Sequence, residues 1–291
     1  MADTIELVGV VGSGLMGSGI TEVCARSGLD VVVVEADEPA MERGRRRLEQ
    51  SLETGVRRQK LTRDEAEAAL SCVRYSTHLE DMADRALVVE AIIEEARAKV
   101  ACFRRLDEVV ESENAIFASN TSSIPIMKLA TATSRPEQVL GLHFFNPVPV
   151  LLLVELVSSL MTSDEVVDRA SGFVTGTLNK TVIRSKDRAG FVVNALLIPY
   201  LLSSVRMLES GFATRDDIDA GMVEGCAHPM GPLALCDLIG LDTMQAVAES
   251  LYEEFKEPLY APPPLLLRMV DAGLLGRKSG RGFYEYGRSA G

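Results

Sequence analysis

The sequence predicts an α/β protein: a doubly wound, largely parallel sheet followed by an all-helical C-terminal domain. Three observations carry this. Residues 5 to 12, Ile5 and "ELVGVVG", form a β-branched run that ends in glycines and leads into the helically spaced "LMGSGITEVCARSG", closed by Gly28. "DVVVVEAD" at 30–37 is then apolar without alternation, as expected of a strand covered on both faces. Beyond about residue 186 strand signals stop and helical ones take over.

The elements follow in order. Strand, helix and strand within the first 37 residues make a βαβ unit. The charged stretch 38–70 has helical spacing with a break between Gly55 and Thr62, and most of its charges read as solvated helix faces. Further strands are predicted at 86–93, 115–120, 139–145, 151–157 and 180–185, with helical segments between them. Helices are predicted at 190–210, 215–225, 231–254 and 263–273. A chain of 291 residues exceeds the usual size of one core, and the boundary is placed near Asp187, giving domains 1–186 and 187–291.

Composition narrows the partners. Lys and Arg number 30 against 42 Asp and Glu, and a net charge of -12 repels nucleic acid and anionic membrane over most of the surface. An anionic ligand must therefore find a local basic patch or a helix N-terminus. The apolar segment "GFVVNALLIPYLLSSVRML" at 190–208 is interrupted by Asn194, Pro199 and Arg206, which argues against a membrane span. It predicts burial between domains or subunits, hence a homodimer. Cys24, Cys72, Cys102, Cys226 and Cys236 are odd in number, scattered and never spaced as CxxC, so neither a disulfide framework nor a metal site is signalled. No signal peptide is visible, and the expected location is cytoplasmic.

The chemistry gathers at strand ends. Gly12, Gly14 and Gly17 form GxGxxG between a strand and a helix: the first permits a tight turn, the second lets backbone approach a pyrophosphate, the third lets helix and strand pack closely. Glu35, 18 positions after Gly17, ends the second strand, where a carboxylate can accept from both hydroxyls of an adenosine ribose and would repel a 2'-phosphate. A dinucleotide site is predicted, with NAD preferred over NADP. Glu90 and Glu94 end another strand at the edge where ligands bind, although Glu94 or Glu95 could instead cap the next helix. "ASNTSS" at 118–123 crowds hydrogen-bonding groups at that edge, any of which could cap the helix near Ile124.

His143 lies in the apolar strand 139–145 and Glu155 twelve positions later in the next one. "NPVPV" between them can only turn or extend, so the strands can lie side by side. A carboxylate buried in "LLLVELV" needs a partner, and an imidazole supplies one: the carboxylate orients the ring while its other nitrogen acts as general base. A satisfied core histidine and an unrelated edge glutamate fit the same spacing.

"GSGLMGSGI", "ASNTSS", "LGLHFFNPVPV", "VEL", "GFVVNALL", "HPMGPL", "IGLD" and "GRKSGRGFYEY", in this order along nearly the whole chain, resemble the 3-hydroxyacyl-CoA dehydrogenases of the 3-hydroxybutyryl-CoA type. The resemblance implies an NAD-binding Rossmann-type domain, a helical C-terminal dimerisation domain, and reversible NAD-dependent oxidation of an (S)-3-hydroxyacyl-CoA to the 3-oxoacyl-CoA. Carried over, the catalytic histidine falls on His143, its glutamate on Glu155, the substrate-positioning serine on Ser122 and the asparagine on Asn194. It implies cofactor contacts at Gly12, Gly14, Leu15, Met16, Gly17, Glu35, Glu94, Lys99, Asn120, Ser122 and Asn146. CoA phosphates would meet the basic stretch containing Arg57, Arg58 and Lys60, with Ser122 and Asn194 on the reacting oxygen or the thioester.

Departures are visible. Leu151, Leu152 and Leu153 stand where relatives often read Met-Lys-Leu, which removes a cation beside Glu155, and "ALCDL" around Cys236 replaces "ELGDF". Chain-length preference stays open, as do the same chemistry on a carrier-protein-tethered acyl group and a non-catalytic NAD-binding homologue.

Overall fold

The structure, a computed structural model, describes residues 5–287. Residues 1–4, part of the N-terminal reading above, lie outside the described residues. Contacts divide the chain into two compact units, the first running to Arg188 and the second starting at Ala189.

The first unit is Rossmann-like. β1 (Leu7–Val11), α1 (Leu15–Arg26) and β2 (Asp30–Val34) form the opening βαβ unit. The charged stretch folds into α2 (Glu38–Arg57) and α3 (Arg63–Ser71), the latter opened by a capping box between Thr62 and Glu65. Next come β3 (Val73–Ser76), β4 (Leu87–Glu90), α4 (Ala96–Val109), β5 (Ile116–Ser119) and the short α5 (Ile126–Ala130). β6 (Val139–Phe144), β7 (Leu153–Ser158), α6 (Asp164–Gly172) and β8 (Thr181–Lys186) complete the unit.

The eight strands line up as β3-β2-β1-β4-β5-β6-β7-β8, all neighbours parallel except β6 and β7. Strand order reverses at β1, which pairs with β2 on one side and β4 on the other, so a crevice opens beyond the carboxyl ends of β1 and β4. Residues alternate between two covered faces. Val8, Val10, Val31, Val33, Leu140, Leu142, Val154 and Leu156 join the core cluster built with α1, α2, α3 and α6. Gly141 points the other way, toward Ile126 of α5, and His143 and Glu155 share that face by strand alternation.

Three features of this unit differ from the sequence reading. β3 was not anticipated, because "VRYS" is too short and polar to stand out and is recruited as an edge by β2. The strand expected to run to residue 93 stops at Glu90, whose carboxylate takes the Ile92 N–H at 2.8 Å and curls the chain away, leaving Ile93 exposed. The strand expected from Leu151 begins at Leu153, because Lys180 donates to the carbonyls of Val148 and Leu151, both at 2.7 Å, and folds that stretch into a turn.

The second unit is helical: α7 (Val193–Glu209), α8 (Arg215–Cys226), α9 (Pro232–Ile239), α10 (Leu241–Phe255) and α11 (Pro264–Asp271). The helix expected over 231–254 is two, divided at Gly240, whose φ of +99° interrupts the helical path. Ile198, Leu202, Val205, Leu233, Met244, Leu251 and Leu266 meet in its core. Asp219 and Asp237, both buried, accept from the Tyr284 and Tyr286 hydroxyls and tie down the C-terminal segment. No helix among the described residues is long and apolar enough to cross a membrane.

Candidate active site

The glycine loop turns at the carboxyl end of β1. Gly12 has φ +93°, and a Cβ there would sit 2.7 Å from the Ala91 carbonyl oxygen. A Cβ on Gly17 would sit 1.9 Å from the Gly12 oxygen, so α1 packs on the loop only because that atom is absent. Gly14 is the opposite case: nothing lies within 4 Å of an added Cβ. Backbone at Gly14 therefore faces open space at the N-terminus of α1, whose first turn carries no acid. That is a cradle for a pyrophosphate, and the residues fit a dinucleotide. Leu15 lies exposed beside it, whereas Met16 packs against the core.

Glu35, one residue beyond β2, turns back onto this loop. Its Oε1 accepts from the Ser13 backbone N–H and from Ser13 Oγ at 2.9 Å, and its Oε2 accepts from the Ala36 N–H at 3.1 Å. The carboxylate is thus held beside the cradle, where the sequence places a ribose.

Past β4 lies a buried charge cluster. Lys99 of α4, 1% exposed, donates to Glu90 at 2.6 Å and pairs with Glu94 at 3.2 Å. Glu90 is fully buried and also accepts from Ser119 Oγ at 2.7 Å. Neither Glu90 nor Lys99 faces solvent. Glu95, rather than Glu94, caps α4. Glu94 collects the strand-end loop instead: Thr121 Oγ1, the Ser122 N–H at 2.9 Å, and the Ser123 N–H and Oγ at 3.1 and 2.9 Å all donate to its Oε1. Burial pushes the Glu94 carboxyl up, but the Lys99 charge and then these hydrogen bonds outweigh it and hold the group below its ordinary value of 4.5.

Asn120 joins this loop to the next strand, its Oδ1 accepting from the Phe144 N–H at 2.9 Å. The neighbouring His143 stands directly opposite Glu155 in the antiparallel β6–β7 ladder. Its Nδ1 lies 2.7 Å from Glu155 Oε2, with Glu155 fully buried and His143 7% exposed. With an ionised Glu155 as partner the ring donates through Nδ1, the tautomer in which Nε2 is the accepting nitrogen. Phe145 stacks obliquely on the imidazole, centroids 4.6 Å apart. Asn146 is exposed in the turn that follows, ahead of a cis peptide to Pro147.

The first unit therefore brings Gly14, Glu35, Glu94, Asn120, Ser122 and the His143–Glu155 pair to one sheet edge, the carboxyl ends of its parallel strands. Arg57 and Lys60 are exposed where α2 ends, Arg57 donating to Thr54 Oγ1 at 3.1 Å. Asn194 lies in the second unit, in the first turn of α7. Sequence reading missed Ser13 and Lys180. Ser13 had one signal, its place between the first two glycines of the motif.

Comparison with known proteins decides the family. Residues 7–188 match the family model described as the NAD binding domain of 3-hydroxyacyl-CoA dehydrogenase, and residues 190–286 match that of its C-terminal domain. A 3-hydroxybutyryl-CoA dehydrogenase from Mycobacterium tuberculosis is 56% identical over 286 residues, covering 98% of this chain and 100% of the relative. The chain belongs to the 3-hydroxyacyl-CoA dehydrogenase family. Among solved structures, FadB2 of M. tuberculosis superposes on this dehydrogenase with a TM-score of 0.97 at 56% identity, over 98% of this chain and 100% of that one. The (S)-3-hydroxybutyryl-CoA dehydrogenase PaaH1 of Ralstonia eutropha does so with 0.93 at 45% identity and the same coverage. The dehydrogenase uses NAD, which its first domain binds.

Proposed function

We propose that this dehydrogenase interconverts (S)-3-hydroxybutyryl-CoA and acetoacetyl-CoA, with His143 as general acid and base. The observation that carries the reading is the His143–Glu155 pair, 2.7 Å apart and in direct register at the edge where the glycine loop opens. The C4 acyl group is supported by relatives named 3-hydroxybutyryl-CoA dehydrogenase at 56% and 45% identity.

Bound NAD would supply the hydride acceptor for oxidation at C3 of the substrate. His143 Nε2 takes the C3 hydroxyl proton in the same direction and returns it in reverse. Glu155 keeps the ring in the productive tautomer and stabilises the imidazolium that forms. Ser122, whose N–H is pinned by Glu94, offers its hydroxyl to the reacting oxygen as charge shifts there. Asn194 is the thioester ligand that the family resemblance assigns, and the exposed cations Arg57 and Lys60 suit CoA phosphates. Glu35 takes the adenosine ribose and Glu94 the nicotinamide ribose.

NADH consumption with acetoacetyl-CoA tests the reading, and His143→Ala is expected to lose about 10²-fold or more in kcat, the scale of a general base. A wild-type rate no higher than that of the variant refutes it. Longer 3-oxoacyl-CoA thioesters in the same assay define the chain-length preference.

A homodimer is the proposed assembly. Val192, Leu196 and Met207 are exposed along one side of α7 and its lead-in, with Phe212 exposed just beyond. A monomeric mass by light scattering overturns it. Five free thiols support a reducing, cytoplasmic setting.

A further inference from the structure

We propose that Ser13 is a positioning residue for the adenosine ribose of NAD, acting through Glu35, and that Gly44 and Arg47 of α2 form its seat. The proposal rests on the reading of Glu35 as the ribose carboxylate.

A tight turn in GxGxxG asks nothing of the side chain between its first two glycines, yet here that side chain is a serine only 1% exposed. Both of its donors, backbone N–H and hydroxyl, converge on Oε1 of Glu35. Its carbonyl accepts from Ser18 Oγ at 2.7 Å and from the Arg47 guanidinium at 3.1 Å. Every polar atom of Ser13 is thus engaged, and the engagements fix one orientation of a carboxylate that would otherwise sample many rotamers.

Gly44 shows that the hydroxyl shapes its surroundings. It lies in the interior of α2, where glycine is less stable than alanine, yet a Cβ there would sit 1.8 Å from Ser13 Oγ and 2.4 Å from Ser13 Cβ. The helix gives up a side chain at the one place where the serine needs room. Arg47, three residues on, then reaches back to the Ser13 carbonyl across 34 positions of sequence.

The consequence is pre-organisation. A flexible glutamate must be ordered when NAD binds, and that ordering weakens binding. Glu35 is ordered beforehand, with Oε1 and Oε2 each anchored and the carboxylate aimed at the cradle edge. The same immobility keeps its negative charge where the 2'-phosphate of NADP would sit, so Ser13 contributes to discrimination as well as affinity.

The test uses the full-length enzyme and measures Kd for NADH, for NADPH and for an NADH analogue lacking the 2'-hydroxyl of the adenosine ribose. Ser13→Ala, Ser13→Gly, Arg47→Met and Glu35→Gln are compared with wild type, with the KM for acetoacetyl-CoA followed in parallel. Ser13→Ala is expected to raise Kd for NADH about fivefold, the scale of a lost pre-ordering contact. It should also shrink the wild-type preference for NADH over the deoxy analogue and over NADPH, leaving the acetoacetyl-CoA KM within about twofold. A merely structural role would weaken all three ligands alike and preserve both ratios. If Ser13→Ala fails to fold, Ser13→Gly, which also removes the hydroxyl, is read in the same way. Full ratios in the Ser13 variants alongside collapsed ratios in Glu35→Gln overturn the proposal alone. Intact ratios in Glu35→Gln refute the ribose assignment of Glu35 and the proposal with it.

Discussion

Replacing Lys99 by methionine tests the buried charge cluster behind the Ser122 loop. Methionine nearly matches the lysine stem in length, so packing is kept and the charge is removed. Lys99 and Glu90 are 1% and 0% exposed with nitrogen and oxygen 2.6 Å apart. Removing one partner of such a pair costs about 3–5 kcal/mol, because the other charge stays buried without compensation. Glu94 is 38% exposed, so its share is screened and adds at most about 1 kcal/mol. For a unit of this size each 1 kcal/mol moves Tm by about 2–4 °C, which predicts a fall of about 10 °C at pH 7. The loss depends on pH with a definite sign. The Glu94 carboxyl is held below 4.5 in the folded protein, chiefly against burial by Lys99, so its contribution is present above that value and vanishes as pH falls through the depressed one. The variant lacks most of that contribution, so the gap from wild type narrows in acid. Thermal unfolding by circular dichroism at pH 7 and pH 4 measures both effects. Adding Glu90→Gln should recover at least half of the loss, since no unpaired buried charge then remains. A Tm within about 2 °C of wild type at pH 7, or a double variant no better than the single one, refutes the reasoning.

Three further outcomes are expected. Glu155→Gln keeps the shape of the carboxylate but not its charge, and should lower kcat with acetoacetyl-CoA about 10²-fold while leaving Kd for NADH nearly unchanged; a kcat within threefold would remove Glu155 from the mechanism. Gly17→Ala forces a methyl against the Gly12 carbonyl, 1.9 Å from an ideal Cβ, and should weaken NADH binding more than about tenfold with a loss of about 1–3 kcal/mol in stability; unchanged calorimetric affinity would count against the cradle. Thiol titration at pH 8 should label exposed Cys226 first. Cys24 and Cys102, whose thiols burial pushes up to about 12, and fully buried Cys236 should react slowly until the protein unfolds; rapid labelling of Cys24 in the native enzyme would contradict its burial.

Much of this was legible from local chemistry. The unalternating valines of β2, the glycine spacing and the acid at position 35 announce a βαβ dinucleotide unit, because each depends on residues near in sequence. Element ends were less legible, since they depend on distant groups. Nothing in "AIIEE" says that Glu90 will capture Ile92 N–H, nor does "LLLVELV" reveal that Lys180, 29 positions after Leu151, will bend the chain before Leu153. The three leucines looked like a strand that had lost a cation. Leu151 and Leu152 instead lie exposed in a turn ahead of the ladder.

Glu94 and Lys99 show the same division. Spacing left Glu94 open between helix cap and ligand, and the fold gave the cap to Glu95 and the strand-end loop to Glu94. Lys99 was expected at the cofactor; the fold buries it, because a lysine four residues into α4 points back at the end of β4, where two carboxylates hold it.

By itself the sequence determined the strand and helix periods, the glycine turn and the residue types able to carry a proton. Those properties reside in each residue's backbone freedom and side-chain chemistry. Only the tertiary structure decided that His143 and Glu155 are a pair, since twelve intervening residues permit many separations and one antiparallel register makes it 2.7 Å. It also decided that Ser13, Glu35 and Arg47 act together, because their contact requires β2 and α2 to pack on the glycine loop.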